Sequence, residues 1–261
     1  MKIAVCVKHV PAGRLRLQPD THRLDRSGPG ELNDADKHAV EEAVRLAEDA
    51  GGATGGAEVV AVTAGPAAAD ESLRNALALG ADRAVHVRDD AMAGADLVAT
   101  SKVLAAALAR ESADLVLFGQ QTSDGGGAVL WAAVAERLGR PFVSQASSVA
   151  VGDGVVVVHR ETEYGNDTIE ARLPAFVAVS DAINEPRYTS LKGRMAAKKK
   201  PLDVVSVADL GLDAGAGGDA GSRTEVRSVG APPVRGGTVT IDDEASAADA
   251  IVAYLAERDL V

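Results

Sequence analysis

The chain has 261 residues, 46% hydrophobic and 25% charged, which is the composition of a soluble globular protein with enough chain for one large domain or two small ones. Lysine and arginine total 27 against 38 acidic residues, and the net charge of −11 disfavours nonspecific binding to nucleic acid or to anionic membranes. Aromatics at 3% leave little for a base-stacking surface, and the single cysteine excludes an intrachain disulfide framework and a cysteine-cluster zinc site, and suits a reducing cytoplasm.

The N-terminus is apolar for only five residues, Ile3-Ala4-Val5-Cys6-Val7, before Lys8. That is too short for a signal-peptide core and predicts a buried first strand. No stretch approaches the roughly 20 uninterrupted apolar residues of a spanning helix; the longest candidate, 95–109, carries Asp96 and Lys102. Direct membrane insertion is therefore not expected. Further strands are expected at 58–63, 83–87, 114–118 and 142–144, with helices between them at 36–49, 67–79, 96–110 and 128–138. In the first helix Ala39, Val40, Ala43, Val44 and Ala47 recur at helical spacing, while Glu41, Glu42, Arg45 and Glu48 are expected to face away. Gly80 and Gly139 read as helix stops. Strand–helix alternation with continuous apolar strands predicts an α/β fold, a doubly wound and mostly parallel sheet.

After about residue 145 the pattern changes. Segments 154–163 and 167–173 are strand-like and flank Tyr164-Gly165-Asn166-Asp167, which predicts a β-hairpin addition followed by a strand at 175–180. Residues 211–237, rich in Gly, Ala, Pro and Ser, predict an extended C-terminal arm, and 244–258 a final helix with Ala247, Ile251, Tyr254 and Leu255 on one face. The expected organisation is a nucleotide-binding domain over 1–210, including the hairpin and a recognition loop at 184–203, and an arm with helix over 211–261 that docks on another subunit.

In such a sheet ligands bind beyond the carboxyl ends of the strands, where strand order reverses. Two loops have suitable composition: Lys8 to Gly13 after the first strand, and Gly119-Gln120-Gln121-Thr122-Ser123-Asp124-Gly125-Gly126-Gly127, which leads through Ala128, Val129 and Leu130 into a helix. Glycines there let backbone N–H groups approach a phosphate, aided by the helix N-terminus. The spacing is neither a Walker A loop nor a dinucleotide fingerprint, and the same glycines would serve a loop needing only positive φ. Thr63-Ala64-Gly65 would add a third wall, or be a simple strand-to-helix turn. Cys6 reads as a small core residue, not a nucleophile. The five histidines show no metal-ligand spacing, so no metal site is expected. No nucleophile–base pair can be nominated, and the residues favour nucleotide binding over catalysis.

The stretch 184–203 reverses the overall charge. Arg187, Lys192, Arg194, Lys198, Lys199 and Lys200 stand against Glu185 and Asp203, a local net of +4. This is either a solvated loop or a docking site for acidic partners, with Tyr188, Leu191 or Met195 as apolar anchor.

The segments Asn184-Glu185-Pro186-Arg187-Tyr188-Thr189-Ser190-Leu191 and Met195-Ala196-Ala197-Lys198-Lys199-Lys200-Pro201-Leu202 closely resemble the β subunit of electron transfer flavoprotein. So do Val7-Lys8-His9-Val10-Pro11, Ala39 to Leu46 and Leu73 to Arg83, in family order over nearly the whole chain. The resemblance implies an adenine-nucleotide-binding fold in a cytoplasmic heterodimer whose α subunit holds most of the FAD. It implies electrons taken singly from acyl-CoA-type dehydrogenases, as in fatty acid oxidation, and passed towards a quinone oxidoreductase. It also implies a structural AMP in the β subunit, at positions corresponding to Cys6, Asn33-Asp34-Ala35-Asp36, Ala64 and Gly119 to Leu130. Leu191 corresponds to the leucine that enters the partner dehydrogenase.

Two departures follow. Many members have Asn-Pro-aromatic where this chain has Asn33-Asp34-Ala35, and several aspartates followed by Asn-Gln-Thr where Asp124 precedes Gly125-Gly126-Gly127. Electron-bifurcating relatives, which oxidise NADH and bind a second FAD in the β subunit, carry Asp-Gly at this turn, as in Asp124-Gly125. A stand-alone nucleotide-binding regulatory module is the reading from another class, and it leaves 184–203 and the arm without a purpose.

Overall fold

The computed structural model describes residues 1–230, 233, 240–241 and 244–261, in two units, Met1–Val226 and Arg227–Val261. In chain order the first unit holds β1 (Lys2–Cys6), β2 (His9–Pro11), β3 (Gly30–Leu32), α1 (Asp34–Asp49), β4 (Glu58–Ala64), α2 (Ala69–Leu79), β5 (Arg83–Val87), α3 (Leu97–Glu111), β6 (Leu115–Gly119) and α4 (Leu130–Arg137). These are followed by β7 (Phe142–Gly152), β8 (Val155–Thr162), β9 (Gly165–Arg172), β10 (Ala175–Val179), α5 (Leu191–Ala197), β11 (Leu202–Val205) and the single turn α6 (Gly218–Gly221).

Nine strands form one sheet in the order β11-β5-β4-β1-β6-β10-β7-β8-β9, parallel from β11 to β7 and antiparallel through β8 and β9. Both faces of the central strands are covered, so their residues are apolar without alternation. Ile3 and Val5 of β1 pack with Ala39, Val40, Leu73 and Leu77 of α1 and α2. Ala4 and Cys6 pack on the other face with Val103, Leu104, Trp131 and Val134 of α3 and α4. Each fully buried valine, leucine or isoleucine contributes roughly 1.5–3 kcal/mol. The chain passes from the α1–α2 face to the α3–α4 face between β5 and β6, so the strand order reverses at β1 and β6, as a doubly wound sheet requires.

Several local expectations need correction. The hairpin turn is Glu163-Tyr164, because Thr162 pairs with Gly165; Asn166 and Asp167 lie inside β9, opposite Glu161 and Arg160. Gly165, at φ 132°, takes a conformation an L-residue avoids and closes the turn, which lies two residues upstream of the expected one. The segment expected as a short strand at 142–144 is the long β7, so the addition is three-stranded. The basic stretch is not all loop: Ser190 caps α5 by accepting from the Gly193 N–H at 2.9 Å. Helix α4 begins at Leu130, not Ala128, which sits at φ 45°.

The polar face of α1 is not all solvated either. Glu41 and Glu42 are buried, at 6% and 4% exposure, beneath the strap of residues 184–188. Periodicity distinguishes a core face from a polar one, but it does not reveal a polar segment folded back across the latter.

The first part of the expected arm packs on the first unit. Arg223 N donates to Asp96 Oδ2 at 2.6 Å, and Asp96 N donates to Ser222 Oγ at 2.9 Å. Residues 231–232 and 234–237 of that arm lie outside the described residues. The second unit contains α7 (Glu244–Ala256), on which Ile251, Val252 and Tyr254 are exposed. Among the described residues no helix is long and apolar enough to cross a membrane.

Candidate functional site

The carboxyl ends of β1, β4 and β6 lie side by side, and the crevice they open is built around Asn33 and Asp36. Asn33 precedes α1 but does not cap it; its side chain is diverted to the loop after β6. Its Nδ2 donates to the Gln121 carbonyl at 3.0 Å and its Oδ1 accepts from the Ser123 N–H at 3.1 Å, so a buried amide mimics a strand partner and fixes the loop. Asp36 accepts from the Lys8 N–H at 2.8 Å, joining the first turn of α1 to the end of β1. Burial pushes the Asp36 carboxyl up to about 7, and hydrogen bonds from Asn33, Lys8 and Gly119 together with the Lys8 charge only partly oppose it. Gly119 is required here: a Cβ would lie 2.4 Å from Asp36 Oδ1 and 2.6 Å from the Ala35 carbonyl carbon.

Asp124 is the second ionic centre. Its side chain is fully covered, with Lys8 Nζ at 2.8 Å from Oδ1 and the Arg26 guanidinium on Oδ2. Burial would raise its pKa, but Lys8, Arg26 and Thr122 outweigh burial and hold the carboxyl down at about 2. Beyond it the loop is open. Among the described residues nothing lies where a Cβ of Gly126 or Gly127 would project, and Gly126 and Ala128 take φ of 55° and 45°. Val129 supplies no side-chain cap to α4, so the N–H groups of its first turn remain available. Backbone strain at a non-glycine residue, an uncapped helix start and uncovered glycines coincide at one place.

The remaining crevice residues are walls. Thr63 is buried and donates from Oγ1 to the Val7 carbonyl at 2.6 Å, while the Gly65 carbonyl accepts from buried His86 Nε2 at 3.0 Å. Gln120 receives Trp131 Nε1 on its carbonyl at 3.3 Å and the Gln145 N–H on its Oε1 at 2.9 Å. Cys6 is buried, and burial, then the Asp36 charge, push its thiol well up; it is an inert wall. Asp34 faces solvent and pairs with Lys37, and Ala35 leaves that edge without an aromatic. Composition alone did not point to Arg26. It reaches Asp124 across 98 positions of chain, and no spacing announces it.

A phosphate needs N–H donors, positive charge and backbone that can be approached. Lys8 and Arg26 supply positive charge of that kind beside the exposed glycines of the 119–130 loop.

The basic stretch forms a separate cluster. Asn184 Nδ2 donates to the His38 carbonyl at 3.0 Å and to Glu42 Oε2 at 3.1 Å. Arg187 meets Glu41 through Nε at 2.8 Å and Glu48 through a terminal nitrogen at 2.8 Å. Lys200 caps α2, donating to the carbonyls of Leu77 at 3.1 Å and Ala81 at 2.5 Å. Arg187 and Lys200 are thus bound to the fold, and the outward charge comes from Lys192, Arg194, Lys198 and Lys199. Tyr188, Leu191 and Met195 are 94%, 80% and 56% exposed. Large apolar side chains turned outward in this way mark an interaction surface.

The family model of the electron transfer flavoprotein domain matches residues 21–210. The chain is 37% identical over 263 residues to the electron transfer flavoprotein subunit beta of Mycobacterium leprae, covering 99% of each. It is 36% identical to the caffeyl-CoA reductase-Etf complex subunit CarD of Acetobacterium woodii, over 100% of both chains. With protein FixA of Azorhizobium caulinodans it shares 35% over 99% of this chain and 95% of that one. With a domain match of this extent and relatives alike from end to end, the chain belongs to the β-subunit family of the electron transfer flavoproteins.

Proposed function

We propose that the chain is the β subunit of a heterodimeric, cytoplasmic electron transfer flavoprotein whose α subunit holds most of the FAD. Electrons enter singly from acyl-CoA-type dehydrogenases and leave towards a quinone oxidoreductase. The flavin supplies the redox chemistry, since it can accept and release electrons one at a time. This chain binds, supports and presents. The crevice of Lys8, Asn33 and the 119–130 loop takes an AMP that is structural, and the segment 187–200 docks the dehydrogenase.

The observation that carries this reading is the strap at 184–188. Asn184 and Arg187 are spent on α1, and what they turn outward is Tyr188, Leu191 and Met195, ringed by lysines. Paired inward polar groups beneath an outward apolar patch suit a protein that presents an anchor to a partner, and they have no purpose in a stand-alone nucleotide module.

A second reading, electron bifurcation with a second FAD and NADH, is favoured by Asp124-Gly125 and by the similarity to CarD. Denaturing the purified α–β complex and identifying the released nucleotides separates the readings. One FAD and one AMP per heterodimer is the expected result; two FAD selects bifurcation, and one FAD alone means an empty crevice. A stable, colourless homodimer of this chain, formed despite co-expression with an α subunit, would overturn the heterodimer reading.

Leu191→Ala is expected to lower kcat/KM for reduction by the dehydrogenase about tenfold, the effect of losing roughly 1.4 kcal/mol of anchorage. FAD content should stay at the wild-type level, because Leu191 is 80% exposed and supports no core. Loss of flavin would refute the anchor role. Added salt should slow both proteins, through screening of the surrounding lysines.

A further inference from the structure

Between β2 and β3 the chain makes an excursion over residues 12–29 that is braced in several places. Leu17 and Leu24 form an antiparallel bridge, and the Gln18 N–H donates to the Arg23 carbonyl at 2.7 Å. Arg23 pairs with Asp219, which ties the excursion to α6. Asp25 Oδ1 accepts from the Ser27 N–H at 3.0 Å and from Ser27 Oγ at 2.7 Å, a tight turn with Arg26 at its centre. Arg26 is therefore delivered to the crevice by a held turn and not by a loose one.

At the crevice one carboxylate lies between two cations. The Asp124 side chain has no exposure, while Lys8 and Arg26 keep 42% and 41% of theirs. One negative charge against two positive leaves this group at +1. Arg26 uses one terminal nitrogen on Asp124, and among the described residues its other N–H donors meet no second acceptor. Arg26 meets this loop at Asp124, two and three residues before the exposed Gly126 and Gly127. A carboxylate needing only to be neutralised would be satisfied by Lys8 alone; a second, half-exposed cation held by a braced turn has capacity for an anion from outside.

We infer that Arg26 and Lys8 form a clamp for the phosphate of the crevice nucleotide, with Asp124 as the positioning residue that holds both cations in place. The inference rests on the nucleotide reading above. The ligand chemistry is an adenosine 5′-phosphate group, whether of a mononucleotide or of a dinucleotide's diphosphate.

The α–β complex, dialysed free of crevice nucleotide, is titrated by calorimetry with AMP, FAD and adenosine. The wild type should bind AMP or FAD more tightly than adenosine; the tighter of the two identifies a mononucleotide or dinucleotide source, and either supports the clamp. Arg26→Ala should weaken the phosphate-bearing ligand about tenfold and leave adenosine unchanged, and Arg26→Lys should recover part of the loss. A structural role for Arg26 would change all ligands together or none. An unaltered ratio of nucleotide to adenosine affinity in Arg26→Ala overturns the clamp and leaves the nucleotide reading standing. Failure of the wild type to bind any of the three overturns both.

Discussion

Arg187→Ala should destabilise the complex by about 2–4 kcal/mol and slow the dehydrogenase reaction more than Leu191→Ala does. The Arg187 guanidinium joins two carboxylates of one helix face: Glu41, with a side chain only 7% exposed, and Glu48, which is 57% exposed. The hydrogen bonds from Arg187 hold the Glu48 carboxyl below its ordinary range, and both carboxylates push the arginine up. Truncation leaves Glu41 buried without its counter-charge, and that accounts for most of the loss. The exposed half of the network contributes little, since pairs in water are worth under about 1 kcal/mol. The same truncation frees the strap from α1, so Tyr188 and Leu191 are no longer presented in one geometry. Denaturant midpoints measure the first effect and stopped-flow reduction by the dehydrogenase the second. Adding Glu41→Gln to Arg187→Ala should restore much of the stability, because the stranded charge is gone, yet restore little of the rate. A variant within about 0.5 kcal/mol of the wild type would mean that the strap is held by other contacts.

The elements legible in the sequence were those whose physics is local. Continuous apolar runs gave β1, β4, β5 and β6, and helical spacing gave α1, α2 and α3 to within a few residues of their ends. The crevice was legible because glycine-rich loops at strand ends carry their own signal, and the structure joins Lys8 to Asp124 as neighbours in it. Features made by distant pairing were not legible. The ribbon of β2 and β3 has three residues a side, too few for a period. Arg26 has meaning only beside Asp124, and Glu41 and Glu42 read as solvated until Arg187 and Asn184 are folded over them. The net of +4 counted along 184–203 likewise overstated the outward charge, since Arg187 and Lys200 are bound within the fold.

Asp36 makes stability fall as pH rises, the opposite of a salt-bridged carboxylate. Its folded-state pKa is raised from 3.8 to about 7, by burial that its hydrogen bonds only partly offset. Between those values the folded chain keeps a proton that the unfolded chain has released, so the slope of stability against pH is negative there. The contribution is intact below about pH 4, is lost progressively up to about pH 7, and is flat above. A rise of that size corresponds to roughly 4 kcal/mol across the window. Asp124, held at about 2, acts in the opposite direction, but its window lies below pH 4 and does not overlap. Asp36→Asn isolates the effect, because the amide oxygen can still accept the Lys8 N–H and nothing at that position titrates. Denaturation at a series of pH values should show the wild type losing roughly 4 kcal/mol relative to Asp36→Asn between pH 4 and 7. A constant difference would mean that Asp36 is ionised in the folded chain throughout, with Lys8 and the Gly119 N–H fully meeting the cost of burying its charge.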